Sequence, residues 1–148
     1  MSQENVEIVQ RAADAFNRRD MRALAEASHE DLEFVTVLTA VDAGGATYRG
    51  SGAWASYFEA MNETWEDWHA EGFRFFDAGE DRVVGVFRLV GKGKHSGAPV
   101  EREIGLAYRI RDGKLWRMRS YLDPGEALEA VGLTEPSPQG GENPEPRP

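Results

Sequence analysis

The chain has 148 residues, no cysteine and a formal net charge of −9, with 41% hydrophobic and 29% charged residues. This length suits a single domain with a sizeable core. The net charge argues against nucleic acid or an anionic membrane as a partner, because neutralising phosphates needs clustered Lys and Arg. Without cysteine there is no disulfide framework, thiol nucleophile or thiolate metal site. No signal peptide or membrane-spanning run is recognisable, so a cytoplasmic location is expected.

Hydrophobic periodicity predicts three helices and one strand in the first half of the chain. In chain order these are helices over residues 3–19 and 21–27, a strand over 32–40, a loop over 42–52 and a helix over 51–64. Asp20 is placed to cap the second helix. The third helix carries Trp54, Phe58, Met61 and Trp65 at helical spacing, a stripe that suits either plain core or the wall of a cavity.

The second half reads as four strands and a closing helix. The strands are predicted over residues 67–77, 81–94, 100–112 and 114–123. Asp123 and Pro124 then form a helix start, and Gly132 a helix end. Residues 134–148 contain five of the seven prolines and no aromatic residue. We therefore predict a folded domain over residues 1–133 and a disordered, proline-rich tail over 134–148.

The dipeptide Asp112-Gly113 is typical of a two-residue type I′ turn. A regular hairpin around it places Arg109 opposite Trp116, Ala107 opposite Met118 and Gly105 opposite Ser120. We interpret this set as the concave face of the sheet. The other, convex face would then carry large apolar side chains, which predicts a homodimer through that face. Those residues are Phe87, Leu89, Ile104, Leu106, Tyr108, Ile110 and Tyr121.

Three segments carry a resemblance to a known family: IVQRAADAFNRRDMRALAEASHEDLEF, YRGSGAWASYF and RIRDGKLWRMRSYLDPGEALEAVG. They resemble the nuclear transport factor 2-like superfamily, and within it the SnoaL-like polyketide cyclase and ketosteroid isomerase group. The resemblance implies an α+β fold in which a curved, mostly antiparallel sheet wraps around N-terminal helices as a cone. It also implies a pocket at the wide end, and a homodimer through the outer sheet face agrees with it.

The ketosteroid isomerase residues are absent. Carried over by the resemblance, the oxyanion-hole tyrosine falls on Ala12, the carboxylate base on Thr36 and the oxyanion aspartic acid on Gly105. Steroid isomerisation by that mechanism is therefore not expected. Two classes remain open: an isomerase, cyclase or hydrolase acting on a small apolar molecule by acid–base catalysis, and a non-catalytic ligand-binding or interaction module.

The expected pocket is mostly apolar, the usual form of a small-ligand site. Its predicted lining comes from the third helix and the concave sheet face, namely Trp54, Tyr57, Phe58, Met61, Val84, Val86, Gly105, Trp116, Met118 and Ser120. No cofactor motif is present, and no two histidines share a metal-ligand spacing, so neither a cofactor nor a metal is expected.

Three polar residues are the candidates for chemistry. Arg88 falls opposite Glu103 in a symmetric hairpin, and such a pair in a pocket could orient a substrate or provide a base. It could equally be a solvated cross-strand pair of little energetic weight. His69 shares a strand face with Glu71, which suits either a general base or an ordinary surface histidine.

Deletion of the tail provides a test of the predicted domain boundary. Residues 134–148 hold too little apolar surface to offset the entropy lost on ordering, so their removal should leave the melting temperature essentially unchanged. A fall of several degrees in thermal unfolding of the truncated chain would place the boundary further along the sequence.

Overall fold

The computed structural model describes residues 2–39 and 44–132. It contains four helices, α1 (Ser2–Arg18), α2 (Met21–Glu26), α3 (Ala53–Thr64) and α4 (Pro124–Ala130). Its strands are β1 (Ser28–Thr36), β2 (Ala46–Arg49), β3 (Trp65–Gly79), β4 (Arg82–Gly93), β5 (Pro99–Arg111) and β6 (Lys114–Tyr121). The predicted tail lies outside the described residues.

The six strands form one sheet in the order β2-β1-β6-β5-β4-β3. All neighbours are antiparallel except β1 and β6, which are parallel. The predicted α+β class, a curved and mostly antiparallel sheet with helices before it, is confirmed. Strand β2 lies within the segment predicted as loop, where it pairs with the end of β1.

Helices α1 and α3 pack on the inner face of the sheet through a cluster of aromatic rings. Its members are Phe16, Phe34, Trp54, Tyr57, Phe58 and Trp68. Phe58 stacks on Trp68 with ring centroids 5.7 Å apart, and the Arg19 guanidinium lies 3.7 Å from the Trp68 ring centre. Aromatic pairs of this kind contribute about 0.5–1.5 kcal/mol each beyond the area they bury. The aromatic stripe of α3 is therefore part of the main core.

The β5–β6 hairpin contains a bulge at Trp116. Arg111 pairs with Lys114 and Ile110 with Leu115, as a regular hairpin requires. The next pair is Arg109 with Arg117, so Trp116 is an extra residue on β6. From that point the pairing differs by one residue from the expected register, which reverses the face on which each residue of β5 lies relative to β6.

The predicted assignment of concave and convex faces is consequently wrong for β4 and β5. Six of the seven large apolar residues assigned to the convex face are buried in the main core: Phe87, Leu89, Ile104, Leu106, Tyr108 and Ile110. The seventh, Tyr121, lies on the outer face beside α4. Leu106, one of these residues, is only 8% exposed. A charged residue there should unfold the domain rather than separate two copies. The apolar surface that motivated a homodimer is therefore not exposed.

Helix α4 covers one part of the outer face of β4 and β5. Val84 and Val86 pack with Leu128 in a second, smaller core. A Cβ atom built at Gly105 would lie 2.7 Å from the Cβ of Ala127, closer than such atoms approach. The glycine therefore allows α4 to pack close to the sheet. It does not line the inner face, and its partner on β6 is Tyr121 rather than the expected Ser120.

Gly105→Ala should separate α4 from the sheet. The added methyl group meets Ala127 and the backbone of Pro124, so overpacking should cost about 1–3 kcal/mol and lower the melting temperature by several degrees. Gly52→Ala is the matched control, because a Cβ there meets no atom within 4 Å. Equal thermal stability of the two variants would contradict close packing of α4 on β5.

Candidate functional site

An apolar cavity lies between the helices and the inner face of the sheet. Its lining is aliphatic and aromatic: Ala12, Ala13, Phe16, Leu24, Phe34, Leu38, Trp54, Tyr57, Phe73, Phe87, Leu106, Tyr108, Leu115 and Met118. None of these side chains carries a formal charge at neutral pH. Within the described residues, the cavity is therefore a neutral environment.

The cavity is small. The volume open to the centres of water molecules is about 30 Å³. That is room for roughly two water molecules, far less than a drug-sized ligand needs. A larger molecule could enter only if side chains of the lining moved, and Met118 is the most adaptable of them because its unbranched side chain has three rotatable bonds.

Two tyrosine hydroxyls in this lining have no hydrogen-bond partner among the described residues. Tyr57 on α3 is 2% exposed and Tyr108 on β5 is 3% exposed. Burial raises the pKa of both phenols above the ordinary value, so both remain protonated donors at neutral pH. By contrast, the hydroxyl of Tyr48 lies 2.7 Å from Thr39 Oγ1. A buried donor without a partner is costly, and a ligand acceptor can supply the missing bond.

Some residues predicted to line the pocket do lie beside this cavity. Trp54, Tyr57 and Met118 are part of its lining. Phe58 and Met61 are buried in the adjoining core.

Ser120 also faces inward, but its hydroxyl is already used. It accepts a hydrogen bond from the backbone N–H of Val37 at 2.9 Å and donates one to Thr36 Oγ1 at 3.1 Å. Thr36, at the position expected for an isomerase base, is fully buried and carries no carboxylate. The absence of that base is therefore not compensated by its neighbour.

The other predicted lining residues face away from the cavity. Val84, Val86 and Gly105 lie under α4 on the outer face. Trp116 also lies outside, where the guanidinium of Arg117 is 4.1 Å from its ring centre. Their predicted inward orientation is wrong, because it assumed a hairpin without the bulge.

The three polar candidates are likewise on the outer face. Arg88 and Glu103 are register partners, as predicted. Their side chains do not form an ion pair with each other, however. Glu103 Oε2 instead lies 3.4 Å from Arg74 Nη2. Arg88 Nη2 donates to Glu71 Oε2 at 2.7 Å. The structure places none of them in the lining of the interior cavity.

His69 completes this surface network. Its Nε2 lies 3.2 Å from Glu71 Oε1, and its side chain is 51% exposed. Hydrogen bonds from Arg88 and then from His69 hold the pKa of Glu71 below its usual range. Such exposed ion pairs are commonly structural and contribute little free energy.

The sequence reasoning missed Tyr108 and the phenylalanines of the cavity wall. The signal was present, since β5 alternates large apolar residues with polar or small ones, and the apolar series faces the core. In residues 2–39 and 44–132, no three potential ligands lie close enough to hold a metal ion. None of the helices described is both long and apolar enough to cross a membrane.

The curved six-strand sheet with helices on its inner face defines an α+β protein of the nuclear transport factor 2-like class. The chain belongs to the SnoaL-like domain family, whose model matches residues 9–118. At the level of the family, this supports a small-molecule-binding role. No curated protein shows a significant match to the chain.

Solved structures share this fold. An NTF2-like protein from Burkholderia xenovorans LB400 is 27% identical, with a TM-score of 0.71 over 89% of this chain and 98% of its own. TerC, co-crystallised with polyporic acid, is 21% identical, with a TM-score of 0.70 over 86% and 98%. A protein of ketosteroid isomerase-like fold from Catenulispora acidiphila, in complex with trimethylamine, is 23% identical, with a TM-score of 0.65 over 86% and 93%.

The surface network gives a pH-dependent prediction. Because the pKa of Glu71 is lowered in the folded state, the charged form contributes stability at neutral pH that is lost as the pH falls through that pKa. Glu71→Gln should therefore lower the melting temperature slightly at neutral pH, and the difference from the unsubstituted protein should vanish in acid. Glu63→Gln, at an exposed position of α3, is the control. A difference that persists in acid would show a cause other than ionisation.

Proposed function

We propose that the protein binds a small, neutral, largely apolar molecule carrying an oxygen acceptor, in the cavity between α1, α3 and the inner sheet face. The observation that carries the proposal is the pair of buried hydroxyls of Tyr57 and Tyr108 without partners in an otherwise apolar lining. A carbonyl or ether oxygen would accept the hydrogen bonds that the protein leaves unmade. Membership of the SnoaL-like family supports the same role.

The charge of the cavity favours a neutral ligand. None of the described lining residues could balance an ammonium or a carboxylate, and an unpaired ion in an apolar cavity is strongly disfavoured. TerC and the Catenulispora acidiphila protein, which share the fold, hold small organic molecules in their crystals. This agrees with a ligand-binding use of the fold in the present chain.

A non-catalytic binder is favoured over an acid–base isomerase, cyclase or hydrolase. General-base catalysis near neutral pH needs a group that is ionised there, such as a carboxylate or imidazole. The lining residues that the structure describes supply none, and burial moves the two phenols further from that role. The acid–base candidates Glu103, Arg88 and His69 are on the far side of the sheet.

A homodimer through the convex face remains a prediction, but the contact would now be made by charged side chains rather than by the apolar surface expected from the sequence. The convex surface that α4 leaves uncovered includes Glu71 on β3, Arg88 on β4 and Glu103 on β5. Two copies meeting there would have to pair charged groups. Their association should accordingly weaken as salt is added.

Tyr57→Phe provides the test of the binding proposal. The change removes a buried donor without a partner, so the free protein should keep or gain stability. Affinity for cyclohexanone, measured by NMR titration, should fall by roughly tenfold, while affinity for methylcyclohexane, which lacks the oxygen, should not change.

Tyr48→Phe is the matched control, because it removes a hydroxyl that already has a partner. It should lower the melting temperature and leave cyclohexanone binding intact. The proposal would be contradicted if Tyr57→Phe lowered the melting temperature as much as Tyr48→Phe and left cyclohexanone affinity unchanged.

A further inference from the structure

The end of the β5–β6 hairpin concentrates positive charge in a chain whose net charge is −9. Two of the first three cross-strand pairs after the turn join like charges, Arg111 with Lys114 and Arg109 with Arg117. Arg119 follows two residues after Arg117 on the same strand face. Like charges placed directly opposite each other destabilise a sheet. Folding alone therefore gives no reason for this arrangement.

The carboxylates of the described residues leave most of this charge unpaired. Arg117 Nε lies 3.7 Å from Glu33, which also holds Arg49. Arg109, Arg111 and Arg119 contact no carboxylate among the described residues. Within the described part of the chain, their guanidiniums instead lie near aromatic rings, Trp116 for the first two and Tyr121 for Arg119.

The bulge creates the cluster. In a regular strand Trp116 and Arg117 would point to opposite faces, but both contribute to the outer surface here. The guanidiniums of Arg109, Arg111 and Arg117 lie 5.9, 4.7 and 4.1 Å from the Trp116 ring centre. Stacking on a ring holds a guanidinium plane in place while its N–H groups remain available for a ligand.

The arginines border a groove with the dimensions of a small ligand. Water-sized spheres can occupy about 270 Å³ in it, and α4 forms one wall through Ala130 and Val131. Its charged lining consists of Arg82, Arg109, Arg117, Arg119 and Glu33. The C-terminal end of α4 contributes at most about half a negative charge. The groove is therefore strongly positive within the roughly 8 Å over which charge acts at physiological salt.

We propose that this groove binds a doubly charged oxyanion, such as a phosphate ester or a polycarboxylate, between Arg109, Arg117 and Arg119. Guanidinium forks match the paired oxygens of phosphate and carboxylate groups. The Cα atoms of the cross-strand pair Arg109 and Arg117 are about 5 Å apart, those of Arg117 and Arg119 about 7 Å, and those of the diagonal pair Arg109 and Arg119 about 8 Å. Three guanidiniums at this spacing can converge on one anionic group. The site is on the opposite face of the sheet from the interior cavity and does not depend on the function proposed for it.

Nucleic acid and a second copy of the chain are less suitable occupants. A nucleic-acid backbone needs a long positive track, whereas this cluster is confined to one hairpin of an acidic chain. A second copy related by a two-fold axis would bring this cluster close to its own like charges. A compact dianion meets neither difficulty.

The test is calorimetric titration of the full-length protein with inorganic pyrophosphate, with citrate as the carboxylate probe. The double variant Arg109→Gln/Arg119→Gln should bind at least roughly tenfold more weakly. Arg22→Gln, at an exposed position of α2, removes one charge elsewhere and should bind normally. Tighter binding of pyrophosphate than of citrate would identify the ligand as a phosphate, and the reverse as a polycarboxylate.

Three results would overturn the proposal. One is the lack of saturable binding of either anion by the unsubstituted protein, and another is equal weakening by Arg22→Gln and by the double variant. The third is a dimer in light scattering that the double variant dissociates, with no anion bound by the unsubstituted protein, since the groove would then be an interface between copies. If the double variant does not fold, Arg119→Gln alone should still weaken binding severalfold.

Discussion

Strand β5 is covered on both faces, and the orientation of the neighbouring strands follows from this constraint. Its residues Ile104 and Leu106 pack in the main core, whereas Gly105 lies directly under α4. A slip of one residue would bury charged side chains in the core and force bulky ones under a helix that has no room for a single Cβ. The bulge at Trp116 allows β6 to match this fixed strand while keeping Met118 and Ser120 on the inner side.

The order of elements and the family were predictable from the sequence, because periodicity, caps and turn residues act locally. The prediction failed where one non-local feature, the bulge at Trp116, determines which face of the sheet each residue of β4 and β5 occupies. A regular hairpin after Asp112-Gly113 was the simplest assumption, but the bulge reversed the faces of β5 and, through correct pairing of Arg88 with Glu103, those of β4. The alternation of apolar residues along β5 was the better guide, since burial outweighs turn geometry in free energy. The predicted inward orientation of Val84, Val86 and Gly105 was wrong for this single reason.

The interior combines a satisfied polar group with two that are not. Thr36 and Ser120 bond to each other and to the backbone, so they stabilise the joint between β1 and β6. Tyr57 and Tyr108 are equally buried but have no partner among the described residues, a combination that stability alone would not retain. Buried groups that cost stability commonly mark sites used by a ligand. Under the proposed function, side chains of the cavity wall must move to admit the ligand.

The two proposed sites, on opposite faces of the sheet, would select opposite kinds of ligand. An oxyanion moved into the neutral cavity would lose its hydration without gaining a counter-charge, at a cost of several kcal/mol. An apolar molecule in the arginine groove would remain in contact with water and gain little from burial. Strand β6 separates the two environments, and Met118 borders both. Strand β5 also contributes to both, since Tyr108 lines the cavity and Arg109 the groove, so any influence of one proposed site on the other can pass through these two strands.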